Sequence, residues 1–156
     1  MKSTFLKYSI VLFVLFSVAS CSEDDSNEMN ETAQSGITNE IFVLVNEHRE
    51  SLGLPQLVRN TTADNLAVEH TKYMVFKNGA SHDNFNKRAN SLRTKENAKG
   101  ISENVAYGFP TAKSVVYTWL KSKGHRVNIE GNYTKTGIAA IKNSNGKYYF
   151  TQLFYK

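Results

Sequence analysis

The stretch Gly137-Ile138-Ala139-Ala140-Ile141-Lys142-Asn143-Ser144-Asn145-Gly146-Lys147-Tyr148-Tyr149-Phe150-Thr151-Gln152-Leu153-Phe154 decides the architecture of this chain. Two runs of strand-forming residues flank the polar, glycine-containing segment Asn143-Ser144-Asn145-Gly146, which is the signature of a β-hairpin. The sequence upstream has a helical period instead. Ile41, Val45, His48 and Leu52 share one face of a helix predicted over Gly36 to Gly53, with Thr38 as its N-cap and Gly53 and Pro55 as its stop. A second helix begins near Thr62, carries Leu66, Ala67, His70, Tyr73 and Met74, and closes at Asn78-Gly79. Thr111 caps a third, with Val115, Val116, Trp119 and Leu120 on its apolar side and Gly124 at its end. Between these, Ser81 to Gly100 is polar and aperiodic, and reads as a long loop of the kind that carries function. Helices first and strands last predict an α+β fold, with helices packed on an antiparallel sheet.

The 156 residues suffice for one domain with a true core. That domain is placed at residues 36–156. Residues 1–20 have the pattern of a signal peptide: Lys2 and Lys7 precede an apolar run from Tyr8 to Val18 that is shorter than the roughly 20 residues a transmembrane helix needs. Val18-Ala19-Ser20-Cys21 resembles a bacterial lipobox, whose cysteine becomes the lipidated first residue of the mature protein. Cys21 is the single cysteine in the chain, so no disulfide forms within it. The alternative is an ordinary secretory signal with an incidental thiol.

Residues 21–35 then read as the lipidated cysteine and an acidic flexible tether, with five acids and no base. Ser22-Glu23-Asp24-Asp25 resembles the acidic surface-export signals of Bacteroidetes lipoproteins. These features predict a bacterial cell-envelope protein, lipid-anchored in the outer membrane and displayed on either face. Without leader and tether, 17 bases oppose 9 acids, a formal charge of +8. Export disfavours nucleic acid as partner and leaves anionic lipid or an acidic envelope polymer. Lys87, Arg88, Arg93, Lys95 and Lys99 form the densest basic stretch, read either as an anion contact or as a solvated loop.

Of the four histidines, His48 and His70 sit in the apolar faces of their helices and read as structural, each needing one or two hydrogen bonds. His82 and His125 follow helix-ending signals, where an imidazole faces solvent and is available to zinc. Glu103 supplies a carboxylate. It serves either as a third metal ligand or as the acceptor that orients one histidine from behind. Asn104 and Glu103 are equally suited to tying loops together through buried hydrogen bonds. Ser81, Ser102 and Ser122 lie near these residues, with no base assignable to any of them.

The ordered set Asn46-Glu47-His48-Arg49 with Gly53-Leu54-Pro55, Ala67 to His70 with Met74, His82, Glu103-Asn104-Val105-Ala106, Gly124-His125-Arg126, Gly137 and Thr151-Gln152-Leu153-Phe154 resembles the CAP superfamily. That superfamily groups cysteine-rich secretory proteins, antigen 5 and pathogenesis-related proteins around the SCP domain. The likeness spans about Ile37 to Tyr155. It implies a three-layer α-β-α sandwich with an open cavity, lined in many relatives by two histidines and two glutamates. His82, Glu103 and His125 match three of these positions. The second glutamate is missing from Trp119-Leu120-Lys121-Ser122-Lys123, as in bacterial forms with a motif similar to Trp-x-x-Ser-x-Gly-His-Arg. An incomplete polar set and a basic domain point to a non-catalytic binding module for an envelope lipid, peptide or glycan, with weak zinc binding at His82, His125 and Glu103. The alternative is a metal-dependent, peptidase-like hydrolase using the same cavity, though no His-Glu-x-x-His helix is present.

Overall fold

The computed structural model describes the backbone of residues 24–156 and the side chains from residue 35 onward. The expected signal peptide and Cys21 lie outside the described residues, as do the tether's side chains before Ser35. In chain order the elements are α1 (Asp24–Ser51), β1 (Val58–Arg59), α2 (Thr61–Lys77), α3 (Phe85–Glu96), β2 (Ile101–Tyr107), α4 (Ala112–Lys121), α5 (Lys123–Ile129), β3 (Lys135–Lys142) and β4 (Tyr148–Tyr155). No helix of the described residues is long and apolar enough to cross a membrane.

The expected hairpin is β3–β4, registered Ile141 against Tyr149 through Lys135 against Tyr155. β2 pairs antiparallel with the other side of β4, and the short β1 adds to β3 in parallel, giving the order β1-β3-β4-β2. The three long strands are antiparallel, as the sequence predicts, and β1 makes the sheet mixed. Every residue of β4 is buried because helices cover both faces. Phe150 and Phe154 point into one core with Ile41 and Val45 of α1 and Trp119 of α4. Leu153 and Tyr155 point into the other, with Ala63, Leu66 and Ala67 of α2 and Leu92 of α3. A three-layer α-β-α sandwich results.

Gly137 lets α2 and the sheet meet. A Cβ at that position would lie 2.1 Å from the Ala63 carbonyl carbon and 2.4 Å from its oxygen. The close approach lets Asp64 Oδ1 accept from the Ile138 N–H at 2.8 Å while also pairing with Arg59 at 2.7 Å.

Three local expectations are corrected. Thr38 caps nothing, since α1 is already helical there and its hydroxyl donates to the Ser35 carbonyl one turn back. Gly124 does not end α4. Ser122 does, with an extended backbone (φ −88°, ψ 117°) that closes α4 and opens α5, so Gly124 lies inside α5. The segment expected to be loop holds α3, 12 residues long. Its buried stripe is only Arg88, Ala89 and Leu92, and a stripe centred on an arginine leaves almost no hydrophobic period to detect.

Candidate functional site

β2 is an edge strand, and the site wraps around that edge. Strand alternation sends Glu103 to the α2–α3 side, opposite Leu153, and Asn104 to the α4–α5 side, opposite Gln152. The side chain of Glu103 is 1 % exposed. It is held by Arg88 of α3 in a two-point pair, Nε to Oε2 at 2.7 Å and Nη2 to Oε1 at 2.8 Å. His82, in the loop between α2 and α3, donates from Nδ1 to the same Oε1 at 2.8 Å. His70 of α2 lies behind, its Nε2 3.9 Å from Oε1 and donating at 2.7 Å to the Ser81 carbonyl, which fixes the loop that carries His82.

Across the strand, Asn104 secures α5. Its amide donates to the His125 carbonyl at 3.1 Å and accepts from Asn128 at 2.8 Å. Asn128 also donates to the outward carbonyl of Glu103, and Trp119 Nε1 donates to that of Val105. These side chains cap carbonyls that a free strand edge would otherwise present. His125 packs beside the Trp119 ring, centroids 6.5 Å apart, and its Nδ1 is 2.8 Å from Ser122 Oγ. Ser122 therefore has an imidazole within reach, Ser81 Oγ accepts from the Asp83 N–H, and Ser102 Oγ is buried without a partner.

The expected residues thus fall into two walls. His82 and Glu103 line one cavity of about 270 Å³ with Phe85, Ile101 and Ser102. His125 stands outside that lining, across the edge of β2, yet near enough that charge on His82 helps to hold the His125 pKa down, second to burial. His70 is also lowered, chiefly by burial, with the Glu103 carboxylate pulling the other way. Burial lowers Arg88 too, opposed by its pairing with Glu103. Burial thus favours the uncharged imidazole at His70 and His125, and the Arg88 guanidinium answers the charge of Glu103.

Zinc fits this set only in part. Glu103 already accepts three hydrogen bonds, two from Arg88 and one from His82, so it suits the role of orienting His82 better than that of binding a metal itself. With Nδ1 so engaged, His82 offers the lone pair of Nε2, and His125 does likewise when its Nδ1–H donates to Ser122. Among the described residues no group of three His, Cys, Asp or Glu side chains is placed to hold a metal ion.

Two site members are not visible in the sequence. Arg88 reads there as part of a solvent-facing basic stretch, whereas it is 6 % exposed and paired with Glu103. His70 reads as a structural histidine, which it is, but its hydrogen bond also braces the His82 loop. His48, the other such histidine, pairs with Glu130 at 2.9 Å, away from this edge. Asn46 and Arg49 are structural: Asn46 makes a two-way bond with the Leu57 backbone, and Arg49 donates to the carbonyls of Pro55, Ile129, Gly131 and Tyr133.

Comparison with known proteins agrees with the fold. The chain resembles an outer surface protein of Borrelia burgdorferi, 22 % identical with TM-score 0.67, over 74 % of this chain and 89 % of that one. It resembles an extracellular protein containing an SCP domain from Bacillus anthracis, 25 % identical with TM-score 0.70, over 83 % of this chain and 43 % of that one. A cysteine-rich secretory protein of Staphylococcus aureus is 18 % identical with TM-score 0.67, over 78 % of this chain and 38 % of that one. The chain thus spans less than half the length of the Bacillus and Staphylococcus proteins. No curated protein matches it. A model of the cysteine-rich secretory protein family matches residues 42–154, nearly the whole described domain, and the chain therefore belongs to the CAP family.

Proposed function

We propose that this protein is a cell-envelope binding module, exported and held in the outer membrane by lipid on Cys21. The cleft at the edge of β2 receives a lipid, peptide or glycan of the envelope. The observation that carries this reading is the state of Glu103. A general base needs a carboxylate free to take a proton, and this one is buried and paired in two places with Arg88 and once with His82. A hydrolase using it as base would have to break the Arg88 pair in every turnover. Binding needs no such rearrangement: His82 and His125 present one ring nitrogen each to a hydroxyl or amide. The extracellular and outer-surface descriptions of the Bacillus and Borrelia proteins support an exported location.

Within this reading zinc binds weakly, held by the Nε2 atoms of His82 and His125 and completed by water. Bound there, it would polarise a ligand oxygen.

Calorimetry against peptidoglycan fragments and vesicles of envelope phospholipid, with the wild type and His82→Ala, tests the binding function. Saturable binding to one of them, weakened at least fivefold by His82→Ala, is expected. Absence of binding to all would overturn this reading, and peptide cleavage by the zinc-loaded chain that Glu103→Gln abolishes would replace it with the hydrolase. Release of Cys21→Ser into the medium, where the wild type pellets with membranes, checks the anchor.

A further inference from the structure

A second cavity, of about 390 Å³, lies between α2 and α3. Arg88 lines this one and Glu103 lines the cleft, so their ion pair is the partition between two chambers. The size falls within the range of small-molecule sites.

Two matched helical stripes build it. α2 contributes Leu66, Glu69, His70 and Tyr73, and the opposite wall contributes Asn84, Lys87, Arg88 and Ser91. Both follow the spacing i, i+3, i+4, i+7, which places each set on one helical face. The i+4 members, His70 and Arg88, are the buried floor at 3 % and 6 % exposure. The i+3 members, Glu69 and Lys87, stand on opposite lips. Among the described residues no ion pair joins these two. Arg88 brings no net charge because Glu103 answers it. One acid on one lip and one base on the other are left unanswered.

His70 supplies a further group. Its Nε2 is used by Ser81, whereas Nδ1 has no hydrogen-bond partner among the described residues. The ring is almost wholly buried, its side chain 1 % exposed. The cavity that the ring lines is this one. With the proton on Nε2, Nδ1 is a lone pair that accepts a hydrogen bond. Tyr73 stacks on the His70 ring and bonds to Asp83 through its hydroxyl, while Arg88 Nη1 bonds to the Asp83 carbonyl, so the floor and the closed end are fixed.

We propose that the α2–α3 groove is a second ligand site, for a small zwitterion of amino-acid type. Its ammonium donates to Glu69 and to His70 Nδ1, its carboxylate faces Lys87, and its apolar side chain lies against Leu66 and Tyr73. The complement is specific. A simple anion would meet Glu69, a simple cation would meet Lys87, and only a molecule carrying both charges satisfies both lips.

Titration of the ¹⁵N-labelled full chain with leucine and with the dipeptide leucyl-leucine, followed by NMR, tests this. Saturable shifts in the amides of both helices are expected with at least one of them. Preference for leucine identifies a free amino acid as the ligand form, and preference for leucyl-leucine a short peptide with separated termini. Leucinamide and N-acetyl-leucine, each lacking one charge, should bind at least tenfold more weakly. Glu69→Gln and Lys87→Met, both on the lips and outside the buried floor, should each weaken binding at least fivefold, whereas His82→Ala should leave it unchanged. The site is refuted by absence of saturable shifts with either zwitterion, by equal binding of the capped compounds, or by shifts that centre on the β2 edge and vanish in His82→Ala. That last result would leave the cleft's binding role standing, and failure at the cleft alone would leave this one standing.

Discussion

Arg88 and Glu103, fifteen residues apart in sequence, meet through two hydrogen bonds of 2.7 and 2.8 Å between α3 and the edge strand β2. Removing one partner strands the other's charge in a buried place, at a cost of about 3–5 kcal/mol. Arg88→Met should therefore lower unfolding stability by about that amount, read from the denaturant midpoint. The double variant Arg88→Met with Glu103→Gln should recover much of the loss. If the two changes simply add, the pair is not coupled.

Gly137→Ala should be among the most damaging single changes, at the upper end of the ~1–3 kcal/mol typical of overpacking. The added Cβ meets backbone atoms of Ala63 at 2.1 and 2.4 Å, so Ala63→Gly should not rescue it. Rescue in a thermal melt would mean that the Ala63 methyl is the obstacle and that α2 can shift.

Arg49 has no acidic partner among the described residues and donates to four carbonyls with its planar fork. Three of them, at Pro55, Ile129 and Tyr133, are without the second donor that Gly131 has in the Tyr133 N–H. A lysine ammonium in its place could reach one or two of them. Arg49→Lys should therefore behave nearly as badly as Arg49→Met, each costing about 3 kcal/mol through carbonyls left without donors. Chemical denaturation decides this. A lysine variant within about 0.5 kcal/mol of wild type would show that charge, not fork geometry, is what the site requires.

Acid should weaken the fold through its histidines. His70 and His125 have folded pKa values held below the ordinary 6.5, mainly by burial, so below about pH 6.5 the unfolded chain binds protons that the folded chain refuses. The stability they contribute is complete above that pH and is lost as the pH falls from there through the folded values. Urea midpoints measured between about pH 7.5 and 5 should decline in the wild type and decline less in His70→Gln. Parallel curves would remove His70 from the account.

Much of the fold was legible because its signals are local. The β3–β4 hairpin announces itself in two strand-forming runs around Asn143 to Gly146, and the Asn78 and Thr111 caps lie where the residues place them. α3 was not legible, because an arginine whose head is neutralised by a residue fifteen positions away looks, in sequence, like any solvated arginine. The same non-local pairing hid Arg88 from the site. His82 and Glu103 were legible as candidate partners from their chemistry, and the order of motifs along the whole chain strengthened that reading. Which of its two roles Glu103 takes, metal ligand or acceptor behind His82, depends on the face of β2 it occupies and on Arg88, which reaches it from α3. Ser122 shows the limit at short range: Gly124 is the better helix stop by composition, yet the chain turns two residues earlier, where the serine hydroxyl meets the His125 imidazole.

The two walls around the edge of β2 are fastened by different chemistry. The His82 wall hangs on a carboxylate, a guanidinium and an imidazole, whereas the His125 wall hangs on the neutral amides of Asn104 and Asn128. Burial shields the first fastening from salt, because a buried pair is screened far less than an exposed one. The mouth between them is thus held on one side by charge and on the other by neutral amides, so a substitution that removes charge acts on one lip and one that removes an amide acts on the other.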